Sequence, residues 1–74
     1  NKKINAIECK TNPDRFTTKS LAVFRTIYPE GKNIVVCPGI KQAYSAKIDQ
    51  LIVHFCGLKD LSQELKTDLN PRHV

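Results

Sequence analysis

The sequence predicts an α/β fold, a small strand–helix–strand–helix–helix unit, and three features carry that prediction. Asn33-Ile34-Val35-Val36-Cys37 is a short apolar run bounded by Pro29-Glu30-Gly31 and Pro38-Gly39, as expected of a strand covered on both faces. Ile40, Tyr44, Ile48, Leu51 and Phe55 follow at spacings of four, four, three and four, with Ala43 and Ile52 beside them, which predicts an amphipathic helix over 40–55. Leu58, Leu61, Leu65 and Leu69 repeat at three, four and four, which predicts a second helix.

In chain order, Ile4, Ala6, Ile7 and Cys9 form an apolar-rich run with imperfect alternation, a short strand. Lys10 to Thr18 is polar and contains Asn12-Pro13-Asp14, where proline and the Asx side chain favour a turn, so a loop belongs here. Ser20 to Tyr28 supports two readings. Leu21, Phe24, Ile27 and Tyr28 lie at helical spacing, whereas Val23, Phe24, Thr26, Ile27 and Tyr28 are strand formers, and composition leans slightly to strand. A helix at 18–27 makes the flanking strands parallel, with the helix as crossover. A strand there gives the alternative fold, α+β, in which Leu21–Tyr28 and Asn33–Cys37 form an antiparallel hairpin beneath the 40–55 helix. Gly57 is suited to end that helix, and Asn70-Pro71 to end the last one.

Seventy-four residues predict a single small domain, or a fragment of a larger one, that buries only about 60% of its unfolded surface. Hydrophobic content of 41% with 26% charge is that of a globular chain and argues against intrinsic disorder. No apolar run approaches the roughly 18 residues of a membrane span. The first residue is Asn1 and not Met, which predicts that something upstream has been removed: a signal peptide, a tag or the rest of a protein. The net charge is +5, and residues 1–25 carry six Lys/Arg against Glu8 and Asp14, while the remainder carries six against five. A basic first third favours phosphate, nucleic acid or an acidic partner; solvated lysines that aid solubility give the same composition.

Cys9, Cys37 and Cys56 stand 28 and 19 residues apart, which fits neither paired zinc ligands nor a CxxC redox motif. The expectation is three small buried hydrophobes in a reducing compartment; in a secreted chain two pair and one is left over. His54 reads as a packed or surface histidine of the 40–55 helix, and Cys37 as core.

The chemistry that stands out is a phosphate loop. A P-loop surrounds phosphates with backbone N–H groups at a helix N-terminus, a lysine reaches the terminal phosphates, and the adjacent Ser/Thr hydroxyl ligates Mg²⁺. Asn12-Pro13-Asp14-Arg15-Phe16-Thr17-Thr18-Lys19-Ser20 follows the first strand and sets Lys19-Ser20 where that pair belongs, although both glycines of the motif are missing.

Tyr28-Pro29, Lys32, Ile34-Val35-Val36, Pro38, Lys41-Gln42-Ala43 and Lys47-Ile48 resemble the segment after the phosphate-loop helix in the ATPase domain of the large subunit of tailed-phage terminases, the motors that package DNA. Arg15, Thr17, Thr18, Lys19 and Ser20 are similar to that family's phosphate loop. The resemblance implies ATP with Mg²⁺ as ligand, with Lys19 on phosphate, Ser20 on the metal, and Arg15 and Thr18 in the same loop. It also implies DNA or other packaging proteins as partners, and the host cytoplasm as location. Phe16 replaces a loop glycine, the helix before Tyr28-Pro29 is short, and nothing resembles an acidic Walker B pair or a nuclease domain. The implied protein is therefore a fragment or remnant with weak or lost nucleotide binding, and autonomous ATPase activity is not expected, because hydrolysis needs an acidic metal ligand and a group that orients water.

The rival reading is a secreted, basic, loosely chemokine-like binding module of hairpin-plus-helix form that engages an acidic receptor or glycan. A structural subunit of a nucleoprotein assembly also accounts for the charge.

Overall fold

A computed structural model describes residues 3–69, and the fold is α/β. Strand β1 (Ala6–Cys9) leads through a 3₁₀ turn at Pro13–Arg15 into helix α1 (Lys19–Ile27) and strand β2 (Asn33–Val36). Strands β3 (Tyr44–Ile48) and β4 (Leu51–Cys56) follow, then a 3₁₀ turn at Leu58–Asp60 and helix α2 (Leu61–Leu69). The sheet order is β1-β2-β4-β3. β1 and β4 flank β2 in parallel, and β3 lies antiparallel on the outer side of β4.

Residues 18–27 take the helical alternative. The strand-forming composition of this segment is overridden because Leu21 reaches the core and Arg25 fastens the end of the helix. The Arg25 guanidinium donates to Asn33 Oδ1 at 2.7 Å, to the carbonyls of Tyr28 at 2.8 Å and Glu30 at 3.0 Å, and to that of Lys32 at 2.9 Å. Its partners run from the carbonyl that closes the helix through the turn to β2, and those of Glu30 and Lys32 accept from the Ile4 and Ala6 N–H groups as well. Asn33 completes the tie by donating from Nδ2 to the Ile52 carbonyl at 2.9 Å. The antiparallel hairpin of Leu21–Tyr28 with Asn33–Cys37 is therefore replaced by a β1–α1–β2 crossover with parallel strands.

The helix expected over 40–55 is instead the β3–β4 hairpin. Ile48 pairs with Leu51 across Asp49-Gln50, whose φ angles of 49° and 72° are both positive, the requirement of a two-residue type I′ turn. Ala46 and Ile48 on one strand and Leu51, Val53 and Phe55 on the other then meet one apolar layer. Gly57, instead of stopping a helix, leaves β4 and opens the turn at Leu58–Asp60. The helix expected from the leucine repeat is present as α2, while the Asn70-Pro71 stop lies outside the described residues.

β2 is buried along its whole length, flanked by strands on both edges and by apolar layers on both faces, which is the physical origin of its unbroken Ile34-Val35-Val36 run. On the α1 face Val35, Cys37, Val53, Phe55 and Leu21 form the core, with Phe16, Ile40 and Ala46 against it. On the α2 face Ile34, Val36 and Cys56 meet Leu61 and Leu65. Burying each such aliphatic side chain contributes about 1.5–3 kcal/mol. Cys9 is exposed, against the expectation for it, while Cys37 and Cys56 are buried as free thiols.

One end of the sheet is held by Lys32. Its N–H donates to Asn5 Oδ1 at 2.9 Å, and its carbonyl accepts from Ala6 at 2.8 Å and from Arg25. Its ammonium donates to the Glu64 carbonyl in α2 at 2.8 Å. Gly31 precedes it with φ +136°, and a Cβ there would overlap the Ile4 backbone, so the turn before β2 requires glycine. Among the described residues no helix is long and apolar enough to cross a membrane.

Candidate functional site

The sequence places its candidate residues between β1 and α1, and the chain there is locally determined. Lys10 extends the β1 ladder by donating to the Val36 carbonyl at 2.9 Å. Asn12 Oδ1 then accepts from the Asp14 N–H at 2.9 Å, an Asx turn that starts the 3₁₀ segment with Pro13 at its head. Phe16 turns inward and meets the Phe55 ring edge-on, with centroids 5.9 Å apart. Phe55 stacks in turn on Tyr44 at 5.0 Å. The aromatic residue at the position of a phosphate-loop glycine thus anchors the loop to the sheet.

Lys19 and Ser20 are the first two residues of α1, and both are exposed, as is Arg15. The opening N–H groups of a helix carry no intrahelical partner, and together with the helix dipole they favour an anion. The structure thus gathers Arg15, Lys19 and Ser20 at the loop–helix junction, on the side where the parallel strands β1 and β2 end. This is the customary side for ligands of open α/β sheets.

Thr18 behaves differently. It is only 8% exposed, and its hydroxyl donates to Asp49 Oδ2 at 2.6 Å, so it holds the hairpin turn against the helix start. Asp49, 31 residues away, is the site residue that sequence reasoning missed; the available signal was the change of alternation parity across Asp49-Gln50. Its carboxylate sets a negative charge beside Thr18, where the α1 dipole stabilises it and where it opposes a free anion.

Beside the junction lies a cavity of about 210 Å³ between α1 and the β1–β2 edge, walled by Ala6, Phe16, Leu21, Phe24 and Val35, with Glu8 and Ser20 also lining it. Glu8 forms a surface ion pair with Lys10 at 3.3 Å, which contributes little to stability.

Elsewhere, Ser45 Oγ and His54 Nδ1 lie 2.7 Å apart across β3 and β4, so His54 sits on a strand and not on a helix. Burial raises the Cys37 thiol above its ordinary pKa, with the Cys9 charge adding to the shift. Burial also raises the Cys56 thiol, with Glu64, Asp60 and Cys37 adding to it. Both are held as neutral packing groups, the opposite of an activated nucleophile. No group of three or more His, Cys, Asp or Glu placed to hold a metal ion occurs among the described residues.

No protein-family model, curated protein or solved structure matches this chain.

Proposed function

We propose that the chain is a phosphate-binding β–α–β unit, a remnant of a P-loop DNA-packaging ATPase whose ligand is ATP with Mg²⁺. The observation that supports this reading is the position of Lys19-Ser20 as the opening pair of α1, directly after the loop that leaves β1. The exposed donor set fits phosphate: two cations, a hydroxyl and the leading amides of a helix. Lys19 contacts the terminal phosphates and Arg15 adds charge from the loop. The Ser20 hydroxyl would supply an oxygen ligand to Mg²⁺ bound with the phosphates, and the metal would offset their negative charge. Thr18 supports the helix start through Asp49 and leaves the ligand to its neighbours.

The proposal is binding without turnover, since catalysis of phosphoryl transfer needs groups that place the metal and the attacking water. In this reading the partners are DNA and other packaging proteins in the host cytoplasm. The secreted hairpin module loses its main structural support, because the segment on which it depended is helical.

Titration of labelled ATP with Mg²⁺ against the wild type and Lys19→Ala tests the reading. Saturable binding that weakens about tenfold or more in Lys19→Ala is expected, a change of roughly 1.4 kcal/mol or more. Equal, negligible binding by both proteins removes it.

A further inference from the structure

The cavity beside the phosphate residues has a size and lining that restrict its occupant. Its roughly 210 Å³ falls below the roughly 300–1,000 Å³ of sites that enclose a whole drug-sized ligand. One flat ring system fits, with any substituent left outside. Most of the lining is apolar, and two of the residues, Phe16 and Phe24, are aromatic, the chemistry on which a nucleobase stacks regardless of its sequence identity. The polar lining groups differ in what they leave available. Asn33 is engaged by Arg25 and by the Ile52 carbonyl, whereas the Glu8 carboxylate is half-exposed on a loose surface pair and can accept a further hydrogen bond. Ser20 belongs both to this lining and to the opening pair of α1. The cavity is therefore continuous with the residues assigned to phosphate.

From these relations we infer that the cavity takes the purine ring of the bound nucleotide, an inference that rests on the phosphate reading of Lys19 and Ser20. The ring enters between Phe16 and Phe24 with its exocyclic amine donating to Glu8. The ribose lies at the mouth, and the phosphates run past Ser20 to Lys19 and Arg15. Glu8 thereby favours a base that presents an N–H at this edge, as adenine does through its amino group, because a carboxylate facing a bare acceptor is repelled.

The test compares three probes, ATP, inorganic tripolyphosphate and adenosine, on the wild type and on Ala6→Leu, which fills the cavity from the β1 side. In the wild type ATP is expected to bind about tenfold or more tightly than tripolyphosphate, and adenosine to shift the NMR signals of Ala6, Leu21 and Phe24. In Ala6→Leu the advantage of ATP disappears while tripolyphosphate binding persists. Ala6→Val supplies a smaller obstruction if the leucine variant does not fold, and the wild-type adenosine spectrum needs neither variant. Equal binding of ATP and tripolyphosphate, with no adenosine shifts, overturns the inference and leaves the phosphate reading standing. Adenosine shifts without any tripolyphosphate binding keep the cavity as a base site and remove the phosphate reading. No response to any probe overturns both.

Discussion

Thr18 Oγ1 donates to Asp49 Oδ2 at 2.6 Å, a bond that joins the start of α1 to the β3–β4 turn across the largest sequence separation within the candidate site. A hydrogen bond to a charged partner contributes about 1.5–3 kcal/mol, and the buried hydroxyl would be left without its acceptor if Asp49 were removed. Asp49→Ala is expected to lower stability by about 2 kcal/mol in urea denaturation. Asp49→Asn, which retains an acceptor oxygen and tolerates a positive φ, is expected to lose less than half of that. The same Asn variant removes a negative charge beside the α1 N-terminus, so Mg²⁺-free tripolyphosphate should bind it several-fold more tightly than the wild type. Unchanged or weaker binding would show that the anion does not approach this end of the helix.

The Arg25 fork spans Asn33 Oδ1 and three backbone carbonyls, lies 5.2 Å from the Phe24 ring centroid, and has a pKa pushed below the ordinary arginine value by burial. A lysine cannot reproduce a planar five-donor fork. Arg25→Ala is expected to cost about 2–3 kcal/mol from lost charge-assisted bonds, and Arg25→Lys more than half as much. A lysine variant within a few tenths of a kcal/mol of the wild type would mean that charge alone suffices there.

Two turns make opposite predictions for glycine. Gly31→Ala meets both a φ of +136° and the Ile4 backbone, and should destabilise by about 2 kcal/mol or more, or prevent folding. Gln50 holds φ 72° without being glycine, so Gln50→Gly should raise stability by about 0.5–1 kcal/mol, relieving the positive-φ cost in a type I′ turn. Thermal melts of the two variants should move in opposite directions.

The thiols set an alkaline limit. Cys37 and Cys56 have pKa values raised above the ordinary thiol value of 9.0, chiefly by burial. Below that value both folded and unfolded chains carry neutral thiols, and this contribution to stability is fully present. Above it the unfolded chain loses protons that the folded chain retains, so stability falls as pH rises towards the folded values. Replacing both residues with alanine lowers stability at every pH through lost packing, but should flatten the decline above pH 9. At neutral pH a thiol reagent should label Cys9 quickly and the other two only on unfolding; three equally fast thiols would contradict the two-faced burial.

What the sequence reveals about this fold depends on how local the governing interactions are. The β2 run and the leucines of α2 are legible because burial on two faces, or on one helical stripe, is written in consecutive residues. The hairpin is masked in the sequence for a definite reason. Ile40, Tyr44, Ile48, Leu51 and Phe55 satisfy helical spacing, while the strand signal lies in two shorter series, Tyr44, Ala46, Ile48 and Leu51, Val53, Phe55, whose parity reverses across Asp49-Gln50. An Asn-Gly turn would have announced that reversal, and Asp-Gln does not. The α1 segment was ambiguous because its helix depends on contacts of Leu21 and Arg25 with residues beyond the segment itself. In the candidate site, Arg15, Lys19 and Ser20 were legible as neighbours in sequence. Asp49 and the cavity beneath Phe16 and Phe24 arise only when the hairpin and β1 are folded against α1.

Lys32 binds Asn5 and Ala6 through its backbone, accepts from Arg25, and reaches Glu64 with its ammonium. All three layers therefore converge on one residue. Fraying of α2 releases the lysine head and slackens the grip on β1 and on the Arg25 fork together, so the layers melt in concert. Amides of β1 and α1 should then exchange through the same opening event as those of β2, a cooperativity uncommon for a sheet edge, and Lys32→Met should uncouple them.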